Sequence, residues 1–99
     1  MIVILGKAKA TSKNDEYSKG EIHAVLMFVN KKNNNKAQKI AKNKMKKMHW
    51  KKIKMSRIGT VSLDKFNPDN EGIKSAFDSA MKTGFGVMVY PEVEKDLNL

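Results

Sequence analysis

Hydrophobic positions along this chain switch repeatedly between a period of two and a period near 3.6, and each switch marks an element. Residues 2–10 (IVILGKAKA) open with aliphatic side chains and then alternate Lys with Ala, which predicts a strand with a bulge at Gly6. Residues 11–20 (TSKNDEYSKG) are polar and unperiodic and read as a loop. Residues 21–30 (EIHAVLMFVN) are apolar almost throughout, as in a central strand buried on both faces. Between 35 and 49, Ala37, Ile40, Ala41, Met45 and Met48 share one side of a helix, with N-cap candidates from Asn33 to Asn35. Lys39, Lys42 and Lys46 take the opposite side, and Lys44 borders the apolar stripe. Residues 51–62 (KKIKMSRIGTVS) alternate again, with Ile53 and Met55 one way and Lys52, Lys54 and Ser56 the other. The alternation slips at Arg57-Ile58-Gly59, which predicts a bulge or bend there. Asn67-Pro68 suits the start of a second helix, whose apolar face is Ile73, Ala76, Phe77, Ala80 and Met81, with Gly84 just past its end. Residues 85–90 (FGVMVY) read as a last strand ended by Pro91.

The order is therefore β-β-α-β-α-β within a single α+β domain, residues 1–91, followed by a polar C-terminal tail, 92–99. Strand–helix–strand units favour parallel neighbours and right-handed crossovers. The expected architecture is a two-layer sandwich of ferredoxin-like character, with both helices on one face of a roughly four-stranded sheet. The first hairpin is the weakest piece of that reading, because its connection is long for a hairpin.

Charge changes the picture more than composition does. From Ile22 to Leu63 there are twelve basic side chains and no acid: Lys31, Lys32, Lys36, Lys39, Lys42, Lys44, Lys46, Lys47, Lys51, Lys52, Lys54 and Arg57. The other eight lysines and all ten acids lie outside that stretch and sum to −2, so the whole surplus of +10 is local. A local positive field attracts an anionic partner. Coding bias toward Lys and Asn is the bland alternative for part of this charge. With no cysteine there is no disulfide framework and no thiolate site. The run Ile2–Leu5 is too short for a signal sequence, and no apolar stretch approaches the roughly 20 residues that cross a bilayer. A cytoplasmic protein is the expectation.

Like-charge pairs such as Lys36–Lys39, Lys39–Lys42 and Lys42–Lys46 cost a few tenths of a kcal/mol each, a burden of about 1–2 kcal/mol that a small domain tolerates. An ordinary exposed helix interleaves Glu with Lys, and this one does not. Lysine meets phosphate as a point charge, whereas arginine forks read base edges. Eleven Lys and one Arg therefore suit backbone contacts with little sequence preference. The candidate anion- or nucleic-acid-binding set is Lys36, Lys39, Lys42, Lys46, Lys47, Trp50, Lys52, Lys54 and Arg57. Trp50 is the candidate base-stacking ring, set against a role closing the core at the helix end.

Other strings are weaker. Gly84 to Tyr90 resembles the aromatic strand signature of the RNA-recognition motif, and Leu26 to Asn30 its first-strand signature. In that family, however, the glycine–aromatic string precedes the second helix, and here it follows it. Asn67, Asp69, Glu71, Gly72 and Asp78 partly fit calcium-loop spacing, but a capped helix start accounts for the same residues. The two histidines, His23 and His49, are far apart, and His23 lies in an apolar strand as a hydrogen-bonded core residue would. No nucleophile elbow, P-loop, dinucleotide fingerprint or metal-ligand spacing occurs, so neither catalysis nor a cofactor is expected. Two functions remain: a non-enzymatic domain that binds nucleic acid backbone, or a module that docks on an acidic protein, such as an inhibitor or immunity protein.

Overall fold

A computed structural model of the chain describes residues 1–98. It contains β1 (Ile2–Ala10), β2 (Ile22–Val29), α1 (Asn34–Lys47), β3 (Trp50–Thr60), α2 (Glu71–Thr83) and β4 (Phe85–Glu94). The four strands form one sheet in the order β3-β1-β2-β4, and every neighbouring pair is antiparallel. The first hairpin forms despite its long connection, in register from Ile2 opposite Val29 to Lys9 opposite Ile22. The loop between its strands is internally braced, since Asn14 Oδ1 accepts from the N–H groups of Glu16 and Tyr17.

Parallel neighbours do not occur. After α1 the chain returns parallel to β2, but β1 already occupies that edge of β2, so β3 pairs antiparallel with the free edge of β1. After α2 the chain crosses to the other edge of β2 and arrives antiparallel as β4.

The helices do not share a face. Ile2, Ile4, Val25, Met27 and Val29 pack with Ala37, Ala41 and Met45 of α1. The alternate positions Val3, Leu26 and Phe28 pack with Ala76, Phe77 and Ala80 of α2. Successive strand residues point to opposite sides, so α1 and α2 cover opposite faces and the architecture has three layers. The reason lies in β2, whose two sides are both apolar. Helices stacked on one face would leave Phe28 wet, whereas here it is fully buried.

Element ends also differ in detail from the sequence reading. Helix α2 begins at Glu71, with Asn70 as its N-cap accepting from Ile73 N–H at 3.0 Å, and not at Asn67-Pro68. Gly84 closes it with a left-handed φ of 96°, as expected of a C-terminal glycine. Met48 and Met81, assigned to the two apolar helix faces, are exposed. The irregularity in β3 falls not at Arg57-Ile58-Gly59, which pair regularly with Leu5, Ile4 and Val3, but at Ser56, an extra residue between the pairs Leu5–Arg57 and Gly6–Met55. A second irregularity lies between Lys54 and Lys51, where Lys52 has a φ of 52°. Strand β4 is not ended by Pro91. Its pairing is interrupted between Val89 and Val93, and Pro91 sits in that interruption, where no ladder N–H is required of it. Pairing resumes at Val93 and Glu94, so the expected tail begins as strand, and its last residue, 99, lies outside the described residues.

Candidate functional site

Helix α1 is held inward by Ala37, Ala41 and Met45, all fully buried. Two alanines and one methionine make this inward stripe narrow, and most of the remaining circumference faces water. Its N-cap is Asn33, whose side chain accepts from Lys36 N–H at 3.0 Å. Its first turn carries no acid and its last turn carries Lys44, Lys46 and Lys47. The turn into β3 passes through His49 in the left-handed region, φ 68°. The His49 carbonyl accepts from Thr11 N–H at 3.0 Å and from the Asn14 amide at 3.3 Å. The loop of the first hairpin thus fixes where β3 leaves α1.

Lys36, Lys39, Lys42, Lys46 and Lys47 are all exposed on the outer side of α1. Lys52, Lys54 and Arg57 are exposed on β3. Strand pairing divides these two groups. Lys51, Lys54 and Arg57 lie opposite Lys9, Lys7 and Leu5 of β1, whose side chains point to the face away from α1. The basic surface therefore runs from the outside of α1, around the β3 edge, and onto the far face of the sheet. Lys9 joins it there, an addition that the Lys-Ala alternation of β1 signals once the pairing is known.

Trp50 does not belong to this surface. It is 4% exposed, packed in the α1-side core, with Tyr17 at 5.8 Å and His23 at 5.9 Å between ring centroids. It closes the core at the helix end and offers no ring to a base. His23 is fully buried. Its Nδ1 lies 2.8 Å from the Tyr90 carbonyl and its Nε2 2.8 Å from Glu21 Oε1. A carbonyl only accepts, so Nδ1 carries a proton that satisfies the Tyr90 carbonyl, in the interrupted stretch of β4. His23 is thus a structural clamp between β2, β4 and the first loop.

Among the described residues, none of the twelve basic side chains from Lys31 to Arg57 has a carboxylate within 4.0 Å; the pairs that do form are Lys7–Glu94 and His23–Glu21. Helix α2 shows what the ordinary pattern looks like: Glu71, Lys74, Asp78 and Lys82 alternate sign along its exposed side. Aromatic rings are turned inward throughout. Phe28, Phe77, Phe85 and Trp50 are buried and Phe66, Tyr17 and Tyr90 half-buried. Burial, reinforced by the charges of Glu16 and Glu21, pushes the Tyr17 hydroxyl above the usual tyrosine range. The Ser62 hydroxyl, donating to Asp64 at 2.6 Å, holds that carboxyl below its usual range. Neither group belongs to the basic surface. No three His, Asp or Glu side chains lie together as a metal site among the described residues, and no helix is long and apolar enough to cross a membrane.

Helix α2 lies over β4 and β2, and on the β1 part of the same sheet face the Lys7 ammonium pairs with Glu94 and donates to the backbone carbonyls of Asp96 and Asn98 in the tail. There Leu5, Gly6, Lys7, Ala24, Ser56 and Arg57 line a shallow groove of about 450 Å³. Compared with known proteins, the chain matches no family model, no curated protein and no solved structure.

Proposed function

We propose that this chain is a small, non-enzymatic, cytoplasmic protein that binds nucleic acid through its phosphate backbone with low sequence specificity. The observation that carries the reading is the set of twelve exposed basic side chains on α1, β3 and the loop before them, with no carboxylate partner among the described residues. Each lysine that neutralises a phosphate releases a cation condensed on the nucleic acid, so such binding falls steeply with salt. Lys39, Lys42 and Lys46 on α1 make the principal contacts, and Lys52, Lys54 and Arg57 on β3, with Lys54 and Arg57 turned to the other face of the sheet, carry the positive field around its edge. The test is anisotropy of labelled DNA and RNA of mixed sequence across a salt series. Micromolar or tighter binding that weakens steeply with salt, and that disappears when Lys39, Lys42 and Lys46 are changed to Glu, supports the reading. No binding at low salt overturns it.

A second reading is favoured by the groove beside Lys7. Arg57 beside the apolar Leu5 and Ala24 is the composition of a protein-docking hot spot, and the cations nearby, Lys9 and Lys54, suit an acidic partner. An inhibitor or immunity protein that neutralises an acidic target would use this surface. Its signature is one tight protein partner, lost on Arg57→Ala, with weak binding to nucleic acid.

A further inference from the structure

The geometry points to a DNA double helix, gripped by α1 along a groove, as the form of nucleic acid this surface takes. The inference rests on the nucleic-acid reading and narrows it.

The first observation is the fan of cations on α1. At about 100° of helical turn per residue, Lys42 and Lys46 lie on one flank of the outward side and Lys36 and Lys47 on the other, with Lys39 between them, over an arc of about 140°. The buried Ala37, Ala41 and Met45 define the opposite side. A convex rod with cations on both flanks matches a concave groove walled by two rows of phosphates. The major groove of B-form DNA, roughly 12 Å wide, admits a helix in this way. From Lys36 to Lys47 the rise is about 16 Å, which spans about five phosphates on each strand. Duplex RNA presents a groove too narrow and deep for a helix of this kind.

The second observation concerns the aromatics. Proteins that hold single strands stack bases on exposed rings. All seven aromatic residues of this chain are buried or half-buried. Without stacking, affinity depends on charge density, and a duplex presents one charge per about 1.7 Å of axis. A single strand presents fewer phosphates per length and no second row for the far flank of α1.

The experiment uses the whole chain with four labelled probes of one mixed 20-nucleotide sequence: the DNA duplex, each of its single strands, and the RNA duplex. Anisotropy is read from about 50 to 200 mM salt. The expected result is DNA-duplex binding about tenfold or more tighter than either single strand or RNA duplex, with a log–log salt slope of about −4. A variant carrying Lys39→Gln, Lys42→Gln and Lys46→Gln, with its fold checked by circular dichroism, should flatten that slope by about three units. Equal or tighter binding to single strands or RNA duplex overturns the inference and leaves the polyanion reading standing. An unchanged slope in the triple variant overturns the placement on α1. Absence of binding to all four probes overturns both.

Discussion

Changing Lys36 to Glu should make this protein more stable and a poorer ligand for polyanions. Lys36 is the third residue after the N-cap, and its N–H donates to Asn33 Oδ1. That position faces the positive end of the helix dipole, in a first turn that carries no acid. A cation there costs about 0.3–1 kcal/mol and an anion gains a similar amount. Glu is also the residue that completes a capping box by reaching back to the N-cap N–H. Lys39, one turn on, repels Lys36 by a few tenths of a kcal/mol and would attract Glu by as much. Because the site is exposed, solvent screening trims the total to about 1–2 kcal/mol. For a domain of this size that is a rise in Tm of roughly 5–12 °C. The assay is thermal melting by far-UV circular dichroism in low salt, repeated near 1 M salt, where screening to about 3 Å removes most of the gain. Lys36→Gln should give about half the effect. The same substitution to Glu should weaken duplex binding and reduce its salt slope by at least about one unit. An unchanged or lower Tm at low salt would refute the claim that α1 carries charge against its own stability.

Three further outcomes test the fold. A Cβ at Gly86 would sit 1.8 Å from the Ala76 carbonyl oxygen, so Gly86→Ala must push α2 off β4 and should cost about 2–3 kcal/mol in urea unfolding. Gly59→Ala, whose new Cβ would come no nearer than 3.8 Å to Val3, should stay within about 0.5 kcal/mol, and equal effects would contradict the opposite-face packing of α2. His23→Phe keeps a ring beside Tyr17 but leaves the Tyr90 carbonyl without its donor, and should cost about 2 kcal/mol; a loss under about 0.5 kcal/mol would show that the clamp is idle. Tyr17 titrates above its ordinary range when folded, so the unfolded chain loses that proton first. Its contribution is present below about pH 10 and fades as pH rises beyond it, and urea midpoints between pH 8 and 11 should fall less steeply in Tyr17→Phe than in the parent.

Element existence was legible because it rests on local period. Ala37, Ala41 and Met45 repeat as a helix does, and Val25, Met27 and Val29 alternate with Leu26 and Phe28 in a strand that is apolar throughout. That second pattern also contained the layer arrangement. A strand apolar on both sides needs cover on both sides, so placing both helices together contradicted the reading of β2. Strand order was not legible, because it depends on which edge of the first hairpin stays free, and that is a long-range matter. The interruptions at Ser56 and Pro91 were misplaced for the same reason: a bulge is a property of two paired strands, and one strand read alone shows only a slip in alternation. For the candidate surface, the exposure of the lysines followed from the helical period. The burial of Trp50 did not, since it is produced by Tyr17 and His23 meeting it from distant parts of the chain.

Topology decides whether a biased composition becomes a site. Because β3 follows α1 and takes the free edge of β1, residues 31–57 stay on one flank of the molecule. Helix α2 and β4, which carry Glu71, Asp78, Glu92 and Glu94, occupy the other flank. Much of the segregation along the sequence is thereby kept in space, the exceptions being Asp15 and Glu16 near Lys47 at the end of α1 and Glu94 on Lys7, and the two accounts of the lysines can be separated at constant net charge. Changing Lys39 and Lys46 to Gln on α1 removes two charges from the basic flank. Changing Lys74 and Lys82 to Gln on α2 removes two charges from the mixed flank. If the lysines only set overall charge, both variants should weaken nucleic-acid binding equally. If α1 is the contact surface, the first should flatten the salt slope by about two units and the second should leave it within about half a unit of the parent. Equal flattening in the two would reduce the basic run to composition, whatever its place in the fold.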